Sequence, residues 1–268
     1  MTEPEGLGQR LTGLWQHMLD LVFPPRCVGC GRVDHQICPL CRESIAWLVP
    51  PFCARCSRPV AIGEAAIPDR GEIVCRVCAT DPLRLDGIRV VAEHTGVMRK
   101  AVHSFKYEGR TSLARPLAAL MEKTATESGF LPVDGLVPVP LHPRRLRERG
   151  YNQATLIARE LARALSLPIL EDAVVRSRPT KDQTQLSAGE RRDNVAGAFV
   201  ATPAMAVGRD YLLIDDVCTT GSTLQACADA LREGGARRVY AVTLTRAHWN
   251  PTTGRAQDAD RGLGRTIS

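Results

Sequence analysis

Beyond residue 85 the chain alternates two kinds of apolar pattern. Short aliphatic runs at 87–94, 136–140, 173–175, 197–200, 211–214 and 239–247 read as strands. Between them, apolar residues recur at helical spacing: Met98, Val102 and Phe105, then Leu113, Leu117 and Met121. The clearest helix carries Ala154, Ile157, Leu161 and Leu165 and is expected to close at Pro168. Another covers 222–233 and ends in Gly234 and Gly235. Strands separated by helix-length segments predict an α/β fold around a mainly parallel sheet.

The first 80 residues lack that alternation. Leu11, Leu14, Trp15, Met18, Leu19 and Val22 fall near one face of a helix over residues 1–24, interrupted by His17 and Asp20. Its expected role is packing on the neighbouring module. No run of 18 apolar residues occurs, so no membrane insertion is predicted. Residues 25–82 form a cysteine-rich module, 85–248 the α/β domain, and 249–268 a polar tail expected to be disordered.

Composition sharpens this division. Hydrophobic residues make up 44% of the 268, enough for a globular core, but aromatics only 4%, so aliphatic side chains must build it. The net charge of +6 favours anionic partners, yet residues 1–80 hold eight basic and eight acidic residues. The cysteine module is therefore not an electrostatic clamp by itself. Eight of the ten cysteines fall in four CxxC pairs: Cys27 and Cys30, Cys38 and Cys41, Cys53 and Cys56, Cys75 and Cys78. The amino-terminal stretch shows no secretion signal, so a reducing cytoplasmic setting is expected, where thiols bind metal rather than cross-link. Each CxxC turn aims two thiolates at one ion, and two turns complete a closed tetrahedral structural zinc site. One or two zinc ions are predicted. Sequential and interleaved pairing both remain open from spacing. His35 reads as an exposed loop residue, and Cys218 and Cys227 as a small loop residue and a helix-face residue.

Candidate chemistry concentrates in YLLIDDVCTTGST. Asp215 and Asp216 stand where a buried strand ends, the side of a parallel sheet on which ligands bind. Adjacent strand residues point to opposite faces, so the two carboxylates need not share one proton or one metal. Thr219, Thr220, Gly221, Ser222 and Thr223 follow at the start of a helix, where backbone N–H groups and hydroxyls can converge on a phosphate. Carboxylates beside such a nest suit a ligand bearing vicinal hydroxyls and a phosphate. Arg144, Arg145 and Arg149 follow the 136–140 strand in what reads as a loop able to clamp pyrophosphate. The polar segment 178–194 suits a lid.

LLIDDVCTTGST resembles the motif by which type I phosphoribosyltransferases bind 5-phosphoribosyl-1-pyrophosphate (PRPP). Several segments then occur in the order found in ComF family proteins, also called ComFC or GntX-like. These are DLVFPPRCVGCG, the CxxC series, HSFKYEGR with Lys106 and Tyr107, VPVPLHPRRLRERGYNQA, and the series Thr180, Gln183, Leu186, Arg191 and Asn194. The resemblance implies a double zinc ribbon fused to a type I phosphoribosyltransferase domain. Asp215 and Asp216 would hold ribose hydroxyls, the Thr219–Thr223 loop the 5′-phosphate, and magnesium would accompany PRPP. It also implies a competence alternative, with single-stranded DNA and a helicase-like protein as partners, and leaves room for a PRPP sensor that does not turn over. The acceptor is not legible.

Overall fold

The computed structural model describes residues 24–60, 67–69, 72–178, 197–202, 207–250 and 255–257. The expected amino-terminal helix, most of the 178–194 segment with its five motif residues, and much of the tail lie outside the described residues.

In chain order the ribbon region contains α1 (Pro39–Glu43), β1 (Ile67–Asp69), β2 (Glu72–Val74) and α2 (Arg76–Thr80). The α/β domain follows with β3 (Gly87–Glu93), α3 (Gly96–Tyr107), α4 (Ala114–Glu127), β4 (Gly135–Pro138), α5 (Pro143–Arg149) and α6 (Gln153–Leu165). It continues through β5 (Val174–Arg176), β6 (Phe199–Ala201), β7 (Asp210–Cys218), α7 (Ser222–Glu233) and β8 (Arg238–Arg246). A short antiparallel pair, β9 (His248–Asn250) and β10 (Arg255–Gln257), lies where an unstructured tail was expected from residue 249.

The sheet is four-stranded, in the order β3-β8-β7-β4, and every pairing is parallel. Its strands are buried on both faces because successive residues serve different cores. Leu212 and Ile214 join α3, α4 and α6 in one cluster; Tyr211 and Leu213 join α7 and β6 in the other. This is the expected α/β architecture. Two local expectations change. Helix α6 ends at Ser166 in the left-handed conformation (φ 53°), before Pro168 is reached. Residues 143–149 form a helix rather than a loop, capped by the His142 side chain at its start and by Gly150 (φ 81°) at its end.

Strand β3 is an edge, and the cysteine module covers it. Leu48 donates its N–H to Val91 O (3.0 Å), and Glu93 donates to Ala46 O (2.8 Å). Ile88 donates to Arg55 O (2.8 Å), while Ser57 Oγ donates back to Ile88 O (2.7 Å). The module is thus joined to the sheet by backbone pairing.

Candidate functional site

Strand β7 carries the acids. Pairing with β8 continues from Asp210↔Arg238 to Cys218↔Arg246, so both aspartates lie within the strand and Cys218 ends it rather than lying in a loop. The alternation of side chains separates the acids. Asp216 is buried (6% exposed) and meets Lys106 Nζ, near the end of α3, at 2.9 Å. Asp215 is half-buried, and its Oδ1 accepts the Asp216 backbone N–H at 2.9 Å. Burial and the neighbouring Asp216 charge push the Asp215 carboxyl up to about 7, against the opposing pull of Lys106. Lys106 is a site residue to which the sequence assigned no role. The backbone below is braced: Thr245 Oγ1 donates to Asp216 O (3.3 Å) and lies 2.9 Å from His94 Nδ1.

After Cys218 the chain turns through Thr219, Thr220 and Gly221 into α7. Gly221 has φ +87°, a conformation a side chain would strain, and it begins α7 without a capping side chain. The Thr220 and Ser222 hydroxyls are 2.7 Å apart, and Ser222 N donates to Thr220 Oγ1 (3.3 Å). Thr223 is the second residue of the helix. These N–H groups and hydroxyls face a positive helix terminus, a setting for an anion.

The three arginines expected to act together lie on α5 and part company. Arg144 is spent within the helix, its Nε 2.8 Å from Glu148 Oε1 on the exposed face. Arg149 donates to Gln153 Oε1 (2.6 Å) and lies 5.1 Å over the Tyr107 ring. Arg145 is half-buried and close enough to Arg176 for the two charges to interact. Arg176, on β5, also feels Asp215, and burial lowers its affinity for its proton. It joins Lys106 as a residue whose place beside the acids no local pattern announces.

The eight CxxC thiols form two groups, Cys27, Cys30, Cys38 and Cys41, and Cys53, Cys56, Cys75 and Cys78, with the ligand atoms of each within 4.8 Å of one another. Pairing is therefore sequential. A tetrahedral site with zinc–sulfur bonds of about 2.3 Å has sulfur–sulfur edges of about 3.8 Å. Cys30 to Cys38 is 3.6 Å and Cys56 to Cys75 is 3.8 Å, so the thiols fit zinc. Against burial, which raises it, the backbone N–H groups of Cys38, Cys30 and Gly29 hold the Cys27 thiol down at about 6, the thiolate a metal needs. His35 is exposed and outside both groups. Cys227 is buried on α7. One side chain links ribbon and loop: Arg246, 7% exposed, donates Nη1 to Thr219 O (3.2 Å) and Nη2 to Cys56 O.

Comparison with known proteins matches this two-part anatomy. Residues 18–79 match the double zinc ribbon domain, and residues 152–258 the phosphoribosyl transferase domain. Competence protein F of Haemophilus influenzae is 29% identical over 240 residues, covering 84% of this chain and 98% of that protein. DNA utilization protein YhgH of Escherichia coli K12 is 31% identical over 221 residues, 78% of this chain and 96% of that one. The chain belongs to the ComF family. Competence protein ComFC of Bacillus subtilis, 29% identical over 228 residues, covers 81% of this ComF-family chain and 86% of its own. Among solved structures, the Bacillus subtilis glutamine PRPP amidotransferase complexed with ADP and GMP matches 53% of this chain at 21% identity and a TM-score of 0.37. The match spans 30% of that enzyme's length. No described helix is long and apolar enough to cross a membrane.

Proposed function

We propose that this ComF-family protein binds PRPP and transfers its phosphoribosyl group with release of pyrophosphate. The observation that carries this reading is the acid pair at the carboxyl end of β7, running through Gly221 into the N-terminus of α7. In it Asp215 and Asp216 accept the ribose hydroxyls, and Thr219, Thr220, Gly221, Ser222 and Thr223 receive the 5′-phosphate. Arg145 and Arg176, whose charges interact with each other and of which Arg176 feels Asp215, would meet the pyrophosphate as positive charge develops on the ribose. Arg149 is held by Gln153 and stacked on Tyr107. Magnesium bound with PRPP would add neutralising charge on the phosphates. The test is titration of the zinc-loaded chain with PRPP and magnesium, followed by pyrophosphate release in the presence of candidate bases. Binding lost in Asp215→Ala with Asp216→Ala is expected. Binding without release for every base would leave a sensor, and no binding at all would end the PRPP reading.

A second reading concerns DNA, motivated by relatives named for competence and DNA utilization. A cleft of about 690 Å³ between the first ribbon and α3 is lined by Arg26, Arg99, Lys100, His103 and Arg110, with Glu108 the acid among its walls. Such a surface suits a phosphate backbone. Salt-dependent binding of single-stranded DNA, weakened by Lys100→Ala, is the expected outcome. A helicase-like partner and a cytoplasmic setting belong to this same reading.

A further inference from the structure

Arg246 is the last residue of β8, and its backbone is fixed from both sides. It pairs with Cys218 of β7, and its carbonyl accepts the His94 N–H just beyond β3 (2.8 Å). From that anchor the buried guanidinium spans two elements. Nη1 donates to the carbonyl of Thr219, where the loop before α7 begins, and Nη2 to the carbonyl of Cys56 in the second ribbon. The Thr219–Thr220 peptide is trans, so its C=O and the following N–H point in opposite directions. Holding the Thr219 carbonyl toward Arg246 therefore turns the Thr220 N–H away from the buried guanidinium. A released peptide can rotate and offer an anion its carbonyl oxygen instead.

The Cys56 end of this strut depends on metal. Cys53 and Cys56 belong to one CxxC turn of the second thiol group, and ligation clamps such a turn. Four thiolates also outweigh the charge of a zinc ion, so the filled site is a net anion. It lies against Arg246, whose charge is felt at Cys56, and a buried guanidinium needs such a counter-charge. The same turn reaches the loop by a second route. Ser57 Oγ donates to Ile88 O (2.7 Å), and a β-carbon added to Gly221 would lie 3.6 Å from Ile88 Cδ1. The first ribbon instead meets α3 and the turn after it. Lys100 Nζ donates to Gly29 O (3.1 Å), and Gln36 Nε2 to Ser112 Oγ (2.9 Å).

We propose that Arg246 is a positioning residue through which zinc in the second ribbon sets the Thr219–Thr220 peptide, so that the order of the loop and its affinity for PRPP follow that metal. The two ribbons then differ in role: the second is wired to the loop, and the first acts independently of it. The inference rests on the PRPP reading for its ligand, but the state of the loop is measurable without PRPP, so the two can fail separately.

The experiment uses the full zinc-loaded chain and compares it with Arg246→Met and with Cys75→Ser plus Cys78→Ser, which removes the second metal but leaves the Cys53–Cys56 turn in the sequence. Amide hydrogen exchange without PRPP should quicken about tenfold at residues 220–223 in both variants, with β7 and β8 still protected. Affinity for PRPP with magnesium, by calorimetry, should fall about tenfold in each, the worth of one well-aimed phosphate contact. Combined, the two changes should cost no more than about twofold beyond either alone, because they break one linkage. Cys27→Ser plus Cys30→Ser, whatever its own cost, should add in full to Arg246→Met. If Arg246→Met does not fold, Arg246→Lys keeps the buried charge but cannot hold both carbonyls, and the same quickening at 220–223 is expected. Loop exchange like the parent's in the arginine variants overturns the proposal. So do losses from Arg246 and the second ribbon that multiply, or a first-ribbon loss that Arg246→Met absorbs equally. A parent chain that fails to bind PRPP ends the PRPP reading, and the exchange measurement then decides this inference by itself.

Discussion

Strand β7 begins with one buried carboxylate and ends near two more, and the protein treats its ends in opposite ways. Asp210, 2% exposed, accepts four guanidinium N–H groups: Arg237 Nε and Nη2 at 2.8 Å each, and Arg238 Nε and Nη2 at 2.9 and 2.5 Å. Those hydrogen bonds hold its carboxyl well below the usual carboxylate range. At the other end a single lysine meets Asp216, and the Asp215 carboxyl is pushed up to about 7 by burial and by its neighbour. The first carboxylate is satisfied from within the fold. The second pair retains unmet acceptor capacity in a half-buried place, the pattern expected where a ligand and its cations complete the electrostatics.

Replacing Asp210 should produce the largest effect on stability. Asp210→Ala removes a buried carboxylate and its charge-assisted hydrogen bonds to two arginines that can turn to water, and a loss of about 1 to 2 kcal/mol is expected by denaturant titration. PRPP affinity should not change. Because the folded state depresses this carboxyl, its stabilising contribution is present at neutral pH and is lost as pH falls through the carboxylate range. The opposite end inverts the sign. A raised carboxyl stabilises in acid, and that contribution is lost as pH rises toward the Asp215 value of about 7. Asp215→Asn should therefore stabilise the ligand-free chain by about 1 kcal/mol at pH 8 and by less at pH 5, while PRPP affinity falls at least about tenfold. A ligand-free Asp215→Asn protein less stable than its parent would erase the contrast between the two ends.

The amino-acid pattern made part of this arrangement legible. Runs such as Tyr211–Ile214 announce buried strands because every residue is apolar, and the motif after them marks the carboxyl end of the sheet. It did not show that β7 continues through both acids, since that extension depends on β8 pairing as far as Arg246. The 143–149 segment concealed a helix because Leu146 is its single aliphatic residue and leaves no apolar stripe to detect. CxxC spacing identifies metal-binding turns, but which turns share an ion depends on distances in space. Lys106, Arg176 and Arg246 reach the site from elements more than 25 residues from the acids or across a sheet edge, so periodicity carries no trace of them. The pairing of 46–48 with β3 is equally silent, because a covered edge strand has the same sequence pattern as an open one.

Lys106 offers the finest test, since it is the one contact that makes the two ends of β7 comparable. Its side chain is 20% exposed and that of Asp216 9%, so the pair is shielded enough for truncation to matter. Lys106→Met should cost about 1 kcal/mol at neutral pH, because Asp216 keeps a buried charge without its partner. The same substitution in an Asp216→Asn background should cost appreciably less, and the difference between the two backgrounds is the coupling. With the lysine gone, the repulsion between the acids also loses its counterweight, so the Asp215 carboxyl should rise further, detectable as a shift of its titration by NMR. Equal costs in both backgrounds with an unmoved Asp215 titration would mean that the lysine merely fills space. Arg176 would then be the cation felt at the acid pair, acting on Asp215 from β5, and the contrast with the four guanidinium contacts of Asp210 would widen.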